Sequence, residues 1–436
     1  ASYDREQKIE DKEDDRVYLV NALGQGELLN QDLSGPADSN QIKATQLDVI
    51  VDHLHDVYEE EHAKEVMKPW LPPLPAVLRS PYTREVRNSA EFTKGDFTLG
   101  IGMIDVPEEQ IQEEYTLDLI KNGHLLYMAS SGYGKSMLLS NIVVGLAMKN
   151  SVQNLNFYIW DLGNSALITL SGLPHVADYM GLDDGEKAAK FQKMILNEIS
   201  DRKRKFARAM AQNIYVYNES QEEKLKSMVI VIDNYDAIRE VGDTVEGFIQ
   251  KVARDGVGLG IYLLVTMTRM NAMRNSVMNN FKEKIGGFNF EPGENRTFVG
   301  KSEYTLPEDK KGRVLVKREN VNVMQLYLPV QGETELEYNR NIKELVASVR
   351  QASTEDPAQG IPVLPEELYF HMLPSYPGYE ETSNKIPIGI EINDLQVQYL
   401  DISKGTGLII GGNESGRTNA IHNVLSYLAG KKVWLF

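Results

Sequence analysis

Cysteine is absent from all 436 residues, which excludes disulfides, thiolate metal sites and a cysteine nucleophile, and is compatible with a reducing compartment. Long apolar runs are lacking too. No stretch approaches the roughly 18 residues that span a bilayer, and the acidic N-terminal "ASYDREQKIEDKEDDR" has no apolar core, so no signal peptide is expected there. Positive charge is the third shortage. With 46 Lys and Arg against 63 Asp and Glu, the formal net charge is -17, the wrong sign for a surface that grips a phosphate backbone by releasing counterions. Nucleic acid is therefore disfavoured as a partner. The local exception, "DRKRKFAR", has basic residues from Arg202 to Arg208 continuing a helical pattern after "FQKMILNEIS", and reads as a solvated helix face.

What is present is ordinary for a globular chain: 42% apolar and 25% charged residues. The length predicts two or three domains of about 100 to 200 residues each. "RVYLVNALGQGELLN" carries a strand and a Gly-containing turn, and "TQLDVIVDHLHDVYEEEHAKEV" has apolar positions at helical spacing. Then "KPWLPPLPAVL", residues 68 to 78, places Pro69, Pro72, Pro73 and Pro75 where they remove amide donors. Two readings stay open there, a semi-rigid linker and an ordered loop on a domain surface with Trp70 as its pin.

The central block alternates strands and helices. "GHLLYMA", "LNFYIWDL", "SMVIVIDN" and "GIYLLVTMT" are short continuous apolar runs, the pattern of strands covered on both faces in a parallel sheet. Helices such as "KSMLLSNIVVGLAMKN" fall between them, so right-handed βαβ crossovers are the economical α/β topology. "GRVLVKREN" into "VNVMQLYLPV" reads as a closing hairpin. After that the chain repeats itself: "IPVLPEELYF" echoes the proline segment, and "GTGLIIGGNESGRTNAIHNVL" echoes "GHLLYMASSGYGKSMLLSNIV". Lys135 and Arg417 lie 282 residues apart and Pro72 and Pro362 lie 290 apart. A tandem module explains both spacings. The expected division is a tail of one module (1–67), a linker and entry segment (68–94), a complete module (95–345), a second linker (346–383) and the start of a further module (384–436).

"ASSGYGKS" follows an apolar strand and opens a helix, the context in which G-x-x-x-x-G-K-[ST] wraps backbone amides around a β-phosphate. Gly132 and Gly134 permit the close approach, Lys135 reaches the phosphate oxygens and Ser136 ligates a metal; Ser131, Tyr133 and Met137 complete the candidate cradle. Ala129 stands where the first glycine is usual, at the strand end, where negative φ makes a methyl inexpensive. Asp233, ending "MVIVID", is placed to hold magnesium. Asn234 follows it, where motors of this class carry a glutamate that polarises water; an amide can orient water but cannot take its proton, and that assistance is typically worth about 10² to 10⁴ in rate. Asp236 would lie roughly 7 Å further along an extended strand, too far to substitute. In the last block Gly411, Gly416 and Thr418 keep the phosphate-loop pattern, but Arg417 replaces its lysine, and a planar fork fits a pocket for an ammonium poorly.

"IGMIDVPEEQ", "ASSGYGKS", "WDLGNSALITLSGLPHVADYM", "VIVIDNYD" and "GIYLLVTMTR" occur in the order and spacing of FtsK/SpoIIIE-type ATPases, which this chain resembles over essentially its whole length. "DVPEEQ", "GLPHV", "PWLPPLP" and the tandem array narrow the resemblance to the EssC/YukB (EccC-like) group of type VII secretion. It implies RecA-like P-loop NTPase modules in tandem, ATP and Mg2+ as ligands, and a position on the cytoplasmic face of a membrane, anchored through parts outside this chain. It also implies hexameric self-association, secretion-system membrane components as partners, and export of WXG-motif proteins and other substrates. By the same resemblance Thr268 is the polar sensor, Arg296 in "EPGENRTF" a trans-acting finger, and Asp233 the magnesium-side acid. The departures at Ala129, Asn234 and Arg417 bear on hydrolysis rather than on fold. Two other readings of the same residues stay open: a DNA translocase, and a non-hydrolysing scaffold that docks substrates.

Overall fold

The computed structural model describes residues 17–29, 45–60, 71–242, 244–381, 385–392, 394–401, 403, 407–430 and 432. Contacts divide the chain into two units, Ala1–Trp70 and Leu71–Phe436. In the first, β1 (Tyr18–Val20) and β2 (Gly26–Leu28) pair antiparallel around a turn in which the Asn21 side chain accepts from the Leu23 and Gln25 amides. Helix α1 (Gln46–Glu60) follows, its start held by reciprocal hydrogen bonds between Thr45 and Asp48.

The second unit is organised by one eleven-stranded sheet among the described residues. Six of its strands run parallel: β6 (Leu125–Met128), β7 (Leu155–Asp161), β8 (Val176–Met180), β9 (Ser227–Asp233), β10 (Ile261–Met267) and β11 (Glu283–Gly286), in spatial order β11–β6–β10–β9–β7–β8. An antiparallel extension, β12 (Arg313–Lys317), β13 (Val321–Leu328), β4 (Thr98–Val106) and β5 (Ile111–Asp118), continues from β11, with the two-residue β3 (Leu78–Arg79) beside β13. The four apolar runs and the β12–β13 hairpin expected from the sequence are all present. The β4–β5 hairpin was not anticipated, because "IQEEYTLD" is too polar to read as a sheet strand; most of β5 is only half-buried.

Alternation along the parallel strands feeds two core layers, as a sheet covered on both faces requires. Leu125 and Tyr127 join the layer of α2 (Lys135–Ala147), while Leu126 and Met128 face the layer of α3 (Gly185–Ala209) and α6 (Val245–Asp255). Each Leu or Ile that α2 buries contributes about 1.5 to 3 kcal/mol relative to exposure. Short helices α4 (Ile214–Ser220), α5 (Ile238–Val241), α7 (Asn275–Met278) and α8 (Pro292–Phe298) join the strands. Helix α9 (Glu335–Ala352) closes one face, with Val346 packed where a Cβ on Gly172 would come within 2.8 Å.

From Leu71 onward the proline segment is an ordered loop, the second of its two readings. Leu74 is buried, its carbonyl accepts from Arg313, and the Pro72 carbonyl accepts from Gln112. Pro69 and Trp70 lie outside the described residues. The segment after α9 also packs on the sheet: the Ile361 amide donates to Asp178 and Lys190 donates to the Pro362 carbonyl. The basic run departs from a solvated face at one position. Arg202 is buried, paired with Glu198 and donating to the Leu259 and Lys226 carbonyls, while Lys203, Arg204 and Lys205 form ion pairs with Asp255, Asp201 and Glu223. No helix of the described residues is long and apolar enough to cross a membrane.

Beyond residue 384, β14 (Lys385–Ile390) and β15 (Val397–Asp401) form an antiparallel pair and α10 (Arg417–Tyr427) follows. The apolar stretch before the second glycine-rich loop echoes β6 in sequence but does not repeat its structure. Leu408 and Ile410 are exposed and residues 407–410 are in no strand, because among the described residues nothing pairs with them.

His124, at the entry to β6, links core strands. Its Nδ1 accepts from the Leu263 amide at 2.9 Å, so Nε2 carries the proton that is donated to the Ala253 carbonyl at 3.0 Å. Burial in this fully used neutral form pushes its pKa down to about 4. The unfolded chain, with His near 6.5, therefore binds more protons between pH 6.5 and 4, and stability falls as pH drops through that window. We expect chemical denaturation to register a decline approaching about 1.4 kcal/mol per pH unit from this group, flattened in His124→Gln.

Candidate nucleotide site

The C-terminal ends of β6, β9 and β10 lie side by side, the edge at which open α/β sheets bind ligands. The segment leaving β6 is clamped on both sides: the Ala129 amide donates to the Met267 carbonyl and the Ser130 amide to the Phe288 carbonyl. Ala129 is buried and is not among the residues with positive φ. Room for its methyl comes from the segment just after β11, since a Cβ on Gly287 would lie 2.7 Å from the Ala129 Cβ. The glycine missing from the loop thus has a counterpart across the strand pair. Gly132 and Gly134 have φ of 85° and 86°, a region that costs other residues roughly 1 to 2 kcal/mol. Gly134 is the N-cap of α2 and supplies no side-chain cap, so the helix's first amides and the positive end of its dipole are left for a ligand at the loop.

The loop side chains divide by direction. Tyr133 stacks its ring on Phe288 with centroids 4.5 Å apart, and its carbonyl accepts from the Tyr127 hydroxyl at 2.6 Å. Ser131 is exposed and Met137 half-buried. The Lys135 ammonium donates to the Ala129 and Ser130 carbonyls at 2.6 and 3.1 Å; burial lowers its pKa, while the nearby Asp233 and Asp236 carboxylates oppose that shift.

Asp233 is buried, and burial raises its pKa against the hydrogen bonds that hold its charged form. Its Oδ2 accepts from the Ser136 hydroxyl at 2.6 Å and its Oδ1 from the Thr266 hydroxyl at 2.5 Å. The Thr266 oxygen also accepts from the Asn234 amide at 2.9 Å, so its own proton is committed to Asp233. Thr266 is the polar β10 group beside the acid. Thr268, singled out from sequence, lies just past the strand, where its amide donates to Asp236 at 2.6 Å. Two-residue spacing alone does not separate Thr266 from Thr268 in sequence; β10 ends at Met267, so only Thr266 is on the strand.

β9 ends at Asp233, and Asn234 turns left-handed with φ 62° and ψ 57°. This backbone takes Asp236 out of an extended path and places its carboxylate within electrostatic reach of Lys135. The Asn234 amide group donates to the Leu162 carbonyl at 3.3 Å. Asp161, which sequence reasoning did not select, ends β7 in register with Asp233 and accepts from Gly163, Leu167 and Tyr179. It braces the loop against which Asn234 rests. Arg296 is exposed on α8 and forms no ion pair among the described residues. Gly411, Gly416, Arg417 and Thr418 lie on a separate, exposed loop and helix start; Gly416 repeats the left-handed N-cap with φ 83°, but no carboxylate pairs with Arg417 or Thr418 among the described residues.

The FtsK/SpoIIIE family model matches residues 84–299, which include the loop, Asp233 and Thr266. The ESX secretion system protein EccC of Geobacillus thermodenitrificans is 31% identical over 419 residues, covering 95% of this chain and 28% of that protein. The type VII secretion system protein EssC of Staphylococcus aureus strain MRSA252 is 30% identical, covering 93% of this chain and 28% of that protein. The chain thus spans little more than a quarter of these relatives' length. A solved structure of EssC ATPases 2 and 3 from Geobacillus thermodenitrificans superposes with a TM-score of 0.75 at 32% identity, covering 82% of this chain and 68% of that one. A likeness of this extent, over the strands and loop that build the nucleotide edge, means that the chain belongs to the EssC/EccC family of FtsK/SpoIIIE-type P-loop ATPases.

Proposed function

We propose that residues 129–136 bind the triphosphate of ATP in a module that hydrolyses it weakly, within a membrane-associated type VII secretion motor. The carrying observation is the convergence of Lys135, Ser136 and Asp233 on one glycine-rich loop at the ends of the parallel strands. A cluster of three or more acidic, His or Cys ligands is absent among the described residues. Mg2+ fits the donor set nonetheless, because it prefers a few oxygen ligands completed by phosphate and water. Ser136 and Asp233 would hold it, and it would neutralise charge between β- and γ-phosphates. Lys135 would then exchange loop carbonyls for phosphate oxygens, and Asn234 would orient a water without taking its proton.

The same reading places residues 95–345 as the working module, 1–67 as the tail of a preceding one and 384–436 as the start of a third. It assigns Thr268 to sensing through Asp236, Arg296 to a neighbouring subunit's site in a hexamer, and the loop at 411–418 to a weaker nucleotide site. WXG-motif proteins, other type VII substrates and secretion-system membrane components are the partners it entails, at the cytoplasmic face of the membrane. Calorimetric titration of ATP with and without Mg2+ tests the metal site. Hydrogen bonds to charged groups are worth about 1.5 to 3 kcal/mol, so Mg2+ should tighten ATP roughly tenfold or more, and Thr266→Val and Asp233→Asn should lose that gain. Equal affinity with and without Mg2+ in the unaltered chain would sink the assignment.

A further inference from the structure

Phe290 is 68% exposed, although it belongs to an aromatic cluster. Its ring meets Phe288 edge-on at 5.2 Å and Tyr133 edge-on at 6.4 Å, and Tyr133 in turn stacks on Phe288. Tyr133 is a phosphate-loop residue, so the cluster is continuous with the place where the triphosphate is read to lie. The segment carrying both phenylalanines is itself tied to the loop through the Ser130 amide and the Phe288 carbonyl. Two rings of the cluster are packed and support the third. Phe290 itself stays largely exposed, an apolar ring surface next to a polyanion site, where a planar aromatic ligand gains burial by packing on it.

Resting on the nucleotide-binding reading above, we propose that Phe290 is the stacking platform for the nucleobase of the nucleotide held at residues 132–136. Base–aromatic stacking tolerates sequence because every base has a π-face. The platform therefore discriminates weakly between purines. Specificity of the site comes from the triphosphate, and the base supplies affinity.

The test titrates the chain, in Mg2+, with ATP, GTP and inorganic tripolyphosphate. ATP and GTP should bind within a few-fold of each other. Phe290→Ala should weaken ATP roughly tenfold, the scale of one lost stacking contact, and leave tripolyphosphate unchanged. Phe290→Leu keeps apolar bulk without the π-face and should lose most of the same affinity. Equal weakening of ATP and tripolyphosphate would overturn the proposal, showing instead a ring that only braces Tyr133; so would unchanged ATP binding in both variants. If the unaltered chain binds none of the three, the nucleotide reading itself falls and takes the platform with it.

Discussion

Replacing Lys135 by alanine is expected to lower ATP affinity by about 10² or more, two charge-assisted hydrogen bonds at about 1.5 to 3 kcal/mol each being lost. The ammonium is already in position, held over the loop by the Ala129 and Ser130 carbonyls at 2.6 and 3.1 Å. Binding therefore exchanges partners and orders little new. Asp233 and Asp236 lie close enough to favour its charged form against burial, so the lysine also offsets two carboxylates that would repel a triphosphate. Lys135→Arg keeps the charge but brings a planar fork into a space shaped for a compact ammonium, and should recover only part of the affinity. Titration calorimetry reads both variants; an affinity for Lys135→Ala within threefold of the unaltered chain would contradict the assignment.

Asn234→Glu is expected to raise ATP turnover by about 10² to 10⁴, the usual contribution of a positioned general base. Two effects oppose each other here. The residue sits at φ 62°, where Asn is tolerated and Glu costs roughly 1 kcal/mol more, and Glu gives up the amide's donation to the Leu162 carbonyl. Against a typical domain stability of about 5 to 15 kcal/mol that loss leaves the chain folded. The gain in rate is the larger effect. Asn234→Asp tolerates the same backbone but carries a shorter carboxylate, so its gain should be smaller. A steady-state phosphate-release assay measures the series. Turnover in Asn234→Glu no higher than in the unaltered chain would show that the missing glutamate is not what limits hydrolysis.

Much of this site was legible because its residues are local in sequence. Gly132 to Ser136 form one continuous loop, and the runs ending at Asp233 and near Thr268 declare themselves as buried strands by composition. What was illegible depends on strand order. That β10 lies between β6 and β9 decides that Thr266, rather than Thr268, touches the acid, and no local pattern states that order. Gly287 illustrates the same point, as its role appears only when β11 is laid beside β6. The left-handed turn at Asn234 has no local signature either, so the spacing to Asp236 that holds for a continuing strand does not apply once β9 ends at Asp233. The third block shows the reverse limit. "GTGLII" has the composition of a buried strand, yet a central strand needs neighbours on both sides, and none is found among the described residues.

The account's central claim is that this loop holds ATP in a module with little capacity to split it. One paired measurement tests it most directly: ATP·Mg2+ binding by calorimetry and phosphate release on the same preparation of the unaltered chain. The account predicts saturable, magnesium-dependent binding of ATP, abolished by Lys135→Ala, with turnover that stays near background at saturation. Robust turnover abolished by Lys135→Ala would contradict it, and so would the absence of magnesium-dependent ATP binding.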